Sequence, residues 1–93
     1  MNKPKNIRKA KEEESSYEFG DMKVIIIKQG EEVYNQLLLD LKIDIDHMPK
    51  IMKNDAMLTG RGLVINDIVG IYRSKLMIEN KPIYYNVYYR VVS

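Results

Sequence analysis

The chain has 93 residues, a formal net charge of +2, one histidine and no cysteine. This length suits a single domain, and the composition excludes a disulfide framework and a thiolate metal site, so we expect no metal and no cofactor. No apolar run approaches the roughly 20 residues that span a bilayer, and the N-terminus lacks a signal peptide, so we expect a cytoplasmic protein without membrane contact.

Residues 1–16 form a charged segment at the N-terminus. They carry five basic and three acidic side chains, and one large aliphatic residue follows Met1. Such a segment buries too little apolar surface to offset the entropy cost of ordering it. We therefore predict a disordered tail over residues 1–16 and a single domain over residues 17–93. A core of this size is marginal without a partner, which favours a homo-oligomer.

The next two segments predict a strand and a helix. Residues 24–27 are a short apolar run, which predicts a central strand over residues 22–28 that is buried on both faces. Residues 31–42 have acidic side chains in the first turn and an apolar stripe at helical spacing, which is typical of a helix packed on a sheet. The stripe consists of Val33, Leu37, Leu38 and Leu41.

Residues 43–54 combine acidic and apolar side chains. Asp46 as a cap and Pro49 near the first turn predict a short helix that ends at about Asn54. Asp44 and Asp46 lack the third carboxylate and the glycine of a calcium loop, so an exposed loop is favoured over a metal site. His47 has no orienting partner that would make it a catalytic base.

The C-terminal part of the chain predicts a long antiparallel hairpin. Two runs of β-branched and aromatic residues, 68–78 and 83–92, flank a turn over residues 79–82. The predicted fold class is therefore α+β, with a small antiparallel or mixed sheet, a C-terminal β-hairpin and one main helix packed on one face.

Side chains of the last strand alternate between two faces. One face is apolar enough to be core, and the other suits a protein interface or the stacking of single-stranded bases, with a solvated sheet face as the alternative. Arg73 joins the second face if the register permits. The predicted core face consists of Ile83, Tyr85, Val87, Tyr89 and Val91, and the predicted binding face of Tyr84, Asn86, Tyr88 and Arg90.

Arg61 lies between Gly60 and Gly62. Because glycine accepts positive φ and close approach, this segment predicts a tight bend that leads into the sheet, with an anion-binding nest as the alternative. Thr59-Gly60-Arg61-Gly62-Leu63, then Asn66-Asp67-Ile68-Val69 and a tyrosine-rich strand, resemble the YodL-like domain of Firmicute phages and conjugative elements. The resemblance implies a small protein of a phage or mobile element, with relatives beside anti-restriction modules and no established enzymatic activity.

No nucleophile, base and oxyanion constellation emerges, so we expect that the protein is not an enzyme. The leading hypothesis is a non-enzymatic binding protein of phage or mobile-element type, a counter-defence inhibitor that binds a host protein. A small nucleic-acid-binding domain that uses the basic hairpin is the first alternative, and a structural homodimer is the second. The predicted partner-binding residues are Tyr84, Asn86, Tyr88, Arg90, Arg73 and Arg61.

Overall fold

The computed structural model describes residues 15–93. The predicted tail therefore lies outside the described residues, apart from its last two. The N–H of Ile26 donates to the carbonyl of Ser15 at 2.8 Å, and Ser16 is the first residue of a strand. No helix within residues 15–93 has the length and the apolar character needed to cross a membrane.

One helix and one five-stranded mixed sheet make up the regular structure of these residues. The sheet order is β1-β2-β4-β5-β3, and all neighbours are antiparallel except β3 and β5, which are parallel. The predicted α+β class is confirmed in this coarse form, although the sheet dominates. The elements are β1 (Ser16–Phe19), β2 (Met22–Ile27), α1 (Glu32–Leu41), β3 (Lys50–Ile51), β4 (Ile68–Ile78) and β5 (Lys81–Val92).

β4 is the central strand, and the prediction that residues 22–28 would be central is wrong. β2 lies between β1 and β4, whereas β4 has β2 on one side and β5 on the other. The apolar run of β2 still has a simple cause, because both faces of the sheet are covered at this point. Val24 packs on one side and Ile27 on the other.

Helix α1 packs through the side that carries Tyr34, which is the buried residue of the helix. Val33, Leu37 and Leu38 join it, but Leu41 is 44% exposed, so the last residue of the predicted stripe does not belong to the core. The helix ends at Leu41 and is capped by Lys42, which has φ 54. The N–H of Lys42 donates to the carbonyl of Leu39, and the N–H of Ile43 donates to the carbonyl of Leu38. This left-handed turn ends the helix just after Leu41.

Two apolar layers cover opposite faces of the sheet. The helix layer lies under α1, and the loop layer lies under the connection of residues 51–63. A small domain thus obtains two thin cores from one sheet. The helix layer contains Ile27, Tyr34, Met48, Ile68 and Val91, and the loop layer contains Val24, Leu58, Leu63, Val69, Ile71 and Val92.

The short helix predicted over residues 46–54 is absent. The chain instead forms a 3-10 turn at Ile45–His47, strand β3, and a second 3-10 turn at Ala56–Leu58. Pro49 has no N–H to continue a helix, and its carbonyl accepts from the N–H of Val91 at 2.8 Å. Pairing with β5 therefore takes the backbone groups that a helix would have used.

The β4–β5 hairpin turns at Glu79 (φ 51) and Asn80 (φ 65), which is the geometry of a two-residue type I′ turn. Its ladder runs from the pair Ile68 and Val91 to the pair Ile78 and Lys81, with a break where Asn86 has φ 61. β2 pairs with β4 only over residues 68–72, so residues 73–86 extend beyond the sheet body. We call residues 73–86 the hairpin arm.

The predicted core face of the last strand is only half correct. Tyr89 and Val91 join the helix layer, but Ile83, Tyr85 and Val87 are between 36% and 48% exposed. The alternation of side chains continues along the strand, while the layer that would cover them stops at the end of the sheet body.

Candidate interaction surface

The hairpin arm carries a contiguous apolar face. Leu76 lies opposite Ile83 in the ladder, and Ile78 and Tyr85 are two residues away along their strands, so all four lie on one face. Their exposed fractions lie between 46% and 52%. We call these four residues the apolar arm face. Because large exposed apolar patches often mark sites of protein interaction, this face is a candidate for such a site.

Tyr84 lies on the other face of the arm and turns toward the sheet body. Its hydroxyl donates a hydrogen bond to the carboxylate of Glu18, and the ammonium of Lys23 lies 5.6 Å from the centre of its ring. The hydrogen bond to Glu18 raises the pKa of the Tyr84 phenol. These contacts fix the direction of the arm relative to the turn between β1 and β2.

Arg73, Tyr88 and Arg90 form a stack at the base of the arm. The Cζ atom of Arg90 lies 4.5 Å from the centre of the Tyr88 ring, and that of Arg73 lies 5.5 Å from it. Each cation–π contact is worth about 0.5–1 kcal/mol at an exposed site. Tyr88 is itself half-buried against the loop layer, so its ring is a fixed platform for both guanidinium groups.

Arg61 stacks on a different tyrosine. Its Cζ lies 3.5 Å from the centre of the Tyr17 ring, and the Tyr17 hydroxyl donates to the carbonyl of Met57 at 2.7 Å. Burial raises the pKa of Tyr17, against the opposing effect of the Arg61 charge. Tyr17 is on β1 and Tyr88 on β5, with β2 and β4 between them, so Arg61 lies at the far margin of the loop layer.

The structure brings together three of the six predicted binding residues. Arg73, Tyr88 and Arg90 share one stack, whereas Tyr84 faces Glu18 and Arg61 lies across the sheet. The remaining residue, at position 86, donates from its side-chain amide to the Ser74 hydroxyl at 3.2 Å within the arm. The six therefore do not form one continuous strip.

Asp67 is a buried carboxylate to which the sequence pattern assigned no role. It is 1% exposed and accepts from the N–H of Val64 at 3.0 Å and from the Lys28 ammonium at 3.0 Å. The N–H of Gln29 donates to it at 3.2 Å. Burial alone would raise the pKa of Asp67, but these hydrogen bonds outweigh it and hold the pKa below its ordinary value. An acidic residue directly before an apolar strand was the signal available in the sequence.

Asn66 completes this structural junction. It has φ 77, its N–H donates to the carbonyl of Val92, and the N–H of Val92 donates to the carbonyl of Asp67, both at 2.8 Å. This pattern is a bulge of the G1 type at the edge of the β4–β5 ladder. The Tyr34 hydroxyl donates to the Asn66 carbonyl at 2.7 Å, which ties α1 to the same point. The junction thus joins β2, α1, β4 and β5.

The acidic residues near His47 do not form a reactive cluster. The imidazole Nδ1 lies 3.7 Å from a carboxylate oxygen of Asp44, and both side chains are more than 75% exposed. Within residues 15–93, no three acidic or histidine side chains lie where they could hold one metal ion.

A comparison with protein families decides the family of this fold. The family model of the RNA polymerase Rpb5 C-terminal domain matches residues 22–92. The chain belongs to this family. The Rpb5 match begins with β2 and ends with the last residue of β5, so it includes α1, both apolar layers and the whole hairpin arm. A search of the curated proteins gave no significant match.

The resemblance to the YodL-like domain is wrong, because the Rpb5 family model covers the same residues and most of the chain besides. The hypothesis of a phage counter-defence inhibitor is therefore wrong as well. The family match gives no support to the host-protein, nucleic-acid or homodimer hypotheses. The motif misled for a physical reason. Gly60 and Gly62 have φ 77 and 69, and the carboxylate of Asp67 is buried. These residue types are therefore explained by the local backbone conformation and do not require membership of that family.

Proposed function

We propose that this chain is a subunit domain of an RNA polymerase and acts as an assembly element, not as a catalyst. The family match supports the assignment of this chain to an RNA polymerase. The role in assembly is supported by the apolar arm face, where four large side chains remain about half exposed.

The energetics of a two-stranded ribbon favour a partner for this face. An isolated hairpin is marginal in water without a third strand or a packed helix. Burying a large apolar side chain fully is worth about 1.5–3 kcal/mol, so covering the exposed half of one contributes about 1 kcal/mol before the cost of association. Docking of the arm against another subunit therefore stabilises both the arm and the assembly.

The stack of Arg73, Tyr88 and Arg90 is the proposed polar rim of this contact. Tyrosine and arginine are the residues most enriched among those that dominate binding energy. The half-buried Tyr88 ring limits the motion of both guanidinium groups, so less side-chain entropy is lost on binding. Tyr84 has a separate role in this proposal, since its contacts with Glu18 and Lys23 hold the arm in place.

Retention of a tagged chain by RNA polymerase in its native source tests this function. We expect the wild-type chain to co-elute in size-exclusion chromatography with the catalytic polymerase subunits, identified by mass spectrometry. A wild-type chain that elutes alone at all salt concentrations would contradict the proposal.

A matched pair of variants tests the surface. Ile83→Ser removes an apolar side chain that is 48% exposed on the arm, and Leu39→Ser removes one that is 70% exposed on α1. We expect Ile83→Ser to lower retention about fivefold, which corresponds to the loss of about 1 kcal/mol, and Leu39→Ser to retain the wild-type level. Equal retention of the two variants would show that the arm is not the contact.

A further inference from the structure

The hairpin arm has a free strand edge as well as an apolar face. We propose that an extended segment of another polymerase subunit, rich in acidic and apolar residues, adds as a strand to the edge of β4 over residues 74–78. This inference rests on the proposed function and specifies the element of the partner that the arm receives. It would complete the sheet on the side where β2 ends.

The edge is open because β2 is too short to cover it. β2 pairs with β4 from Ile68 to Tyr72, and within residues 15–93 no strand pairs with the outer side of residues 74–78. In an antiparallel ladder, every second residue turns its N–H and C=O away from its partner strand. Lys75, Leu76, Met77 and Ile78 are all exposed, so these backbone groups can be reached.

The two edges of the arm differ in their fitness for strand addition. The edge of β5 contains Pro82, which has no N–H, and Asn86, which has φ 61, and β3 occupies its end. Proline and irregular backbone are two of the means by which a protein prevents pairing at an edge. Residues 74–78 of β4 contain no proline and no positive φ. The β4 edge is therefore the one that remains competent to pair.

Charge and apolarity specify the incoming segment. Residues 73–90 carry four basic side chains against the single carboxylate of Glu79, so they attract acidic groups. Leu76 and Ile78 belong both to the edge strand and to the apolar arm face. An added strand would place alternate side chains beside them, where apolar residues gain most. The expected segment thus alternates apolar and acidic residues.

Site-specific cross-linking in the assembled polymerase tests this geometry. The chain has no cysteine, so a single introduced cysteine carries a benzophenone maleimide without background. Lys75→Cys and Met77→Cys report on the β4 edge, Tyr85→Cys reports on the apolar arm face, and Asn35→Cys on the exposed side of α1 is the control. We expect the first two to cross-link to neighbouring positions of one acidic, apolar segment.

Charge reversal gives a second, independent readout. We expect Lys75→Glu to lower retention by the polymerase at least tenfold, whereas Lys53→Glu, at an exposed position outside the arm, leaves retention unchanged. Cross-links from Tyr85→Cys alone, or to a helical or basic segment, would overturn strand addition, as would full retention of Lys75→Glu. In those cases loss of retention by Ile83→Ser would leave the proposed function standing. A wild-type chain that never co-elutes would overturn both.

Discussion

Strands β4 and β5 have one part in the sheet body and one part in the hairpin arm, and the two parts differ in what covers them. In the body, Ile68, Val69 and Val92 are 0% exposed between the helix layer and the loop layer. In the arm, Leu76 and Met77 are more than half exposed. The residue types are alike. An apolar strand pattern thus shows that burial is needed, but not whether the chain itself or a partner provides it.

The largest expected effect in the body follows from the loss of Asp67. We expect Asp67→Ala to lower the free energy of unfolding by about 2–4 kcal/mol, because it leaves the N–H groups of Val64 and Gln29 without their acceptor and removes the ion pair with Lys28. Denaturant midpoints measure the change. Asp40→Ala, which removes an exposed carboxylate on α1, is the control and should stay within about 0.5 kcal/mol. Equal losses of stability in the two variants would show that the contacts of Asp67 do not stabilise the fold.

A smaller effect is expected at Gly70, which lies opposite Tyr89 in the β4–β5 ladder. A Cβ at Gly70 would lie 2.8 Å from Cε1 of Tyr89, so Gly70→Ala must displace a ring that belongs to the helix layer. We expect a loss of about 1–3 kcal/mol in the free energy of unfolding. In a Tyr89→Leu background the same change should cost less, because the ring is gone. Full additivity of the two changes would contradict this close contact.

Acid pH is expected to remove part of the stabilisation from the same junction. The pKa of Asp67 is lower in the folded chain than its ordinary value, so its contribution is fully present above that value and is lost as the pH falls through the folded-state pKa. We expect the melting temperature to fall below about pH 4. Asp67→Asn should show a shallower fall than the wild type, and identical pH profiles would exclude this carboxylate as a cause.

The smallest effect on the free chain is expected in the arm. Because Ile83 is 48% exposed, only about half of its side chain is buried in the free chain, and Ile83→Ser should lower the free energy of unfolding by about 1 kcal/mol. Val91→Ser, in the body of the same strand, should cost several times more, since Val91 is 2% exposed. Thermal melts of the two variants sharpen the comparison, and equal losses would mean that the arm is a packed part of the domain.

Local patterns sufficed for α1 and for the three longer strands, β2, β4 and β5. The apolar run of residues 22–28 and the periodic stripe of residues 31–42 predicted β2 and α1, because each pattern matches the geometry of its own element. β1 was missed, since Tyr17 and Phe19 alternate with polar residues over only four positions. β3 was missed because two residues pair with a strand some forty positions away, and no local signal encodes that contact.

The candidate surface could be predicted only in part. The sequence predicts Tyr88 and Arg90 on one face, which Arg73 joins if the register permits, and the register of β4 and β5 places the three in one stack. The sequence places Ile83 and Tyr85 of the apolar arm face in the core, because alternation shows which side chains share a face but not where the covering layers end. The motif of residues 59–63 and 66–69 resembles a family signature, whereas its two glycines have positive φ and Asp67 accepts a hydrogen bond from the backbone of Val64.

Hydrogen exchange of the arm amides, in the free chain and in the chain bound to RNA polymerase, tests the central claim most directly. In the free chain, we expect fast exchange over residues 74–78 and slow exchange over residues 68–72, which lie between β2 and β5. On binding, exchange over residues 74–78 should slow at least tenfold while that of residues 68–72 stays unchanged. Equally fast exchange of the arm in the bound chain would contradict its role as the docking surface.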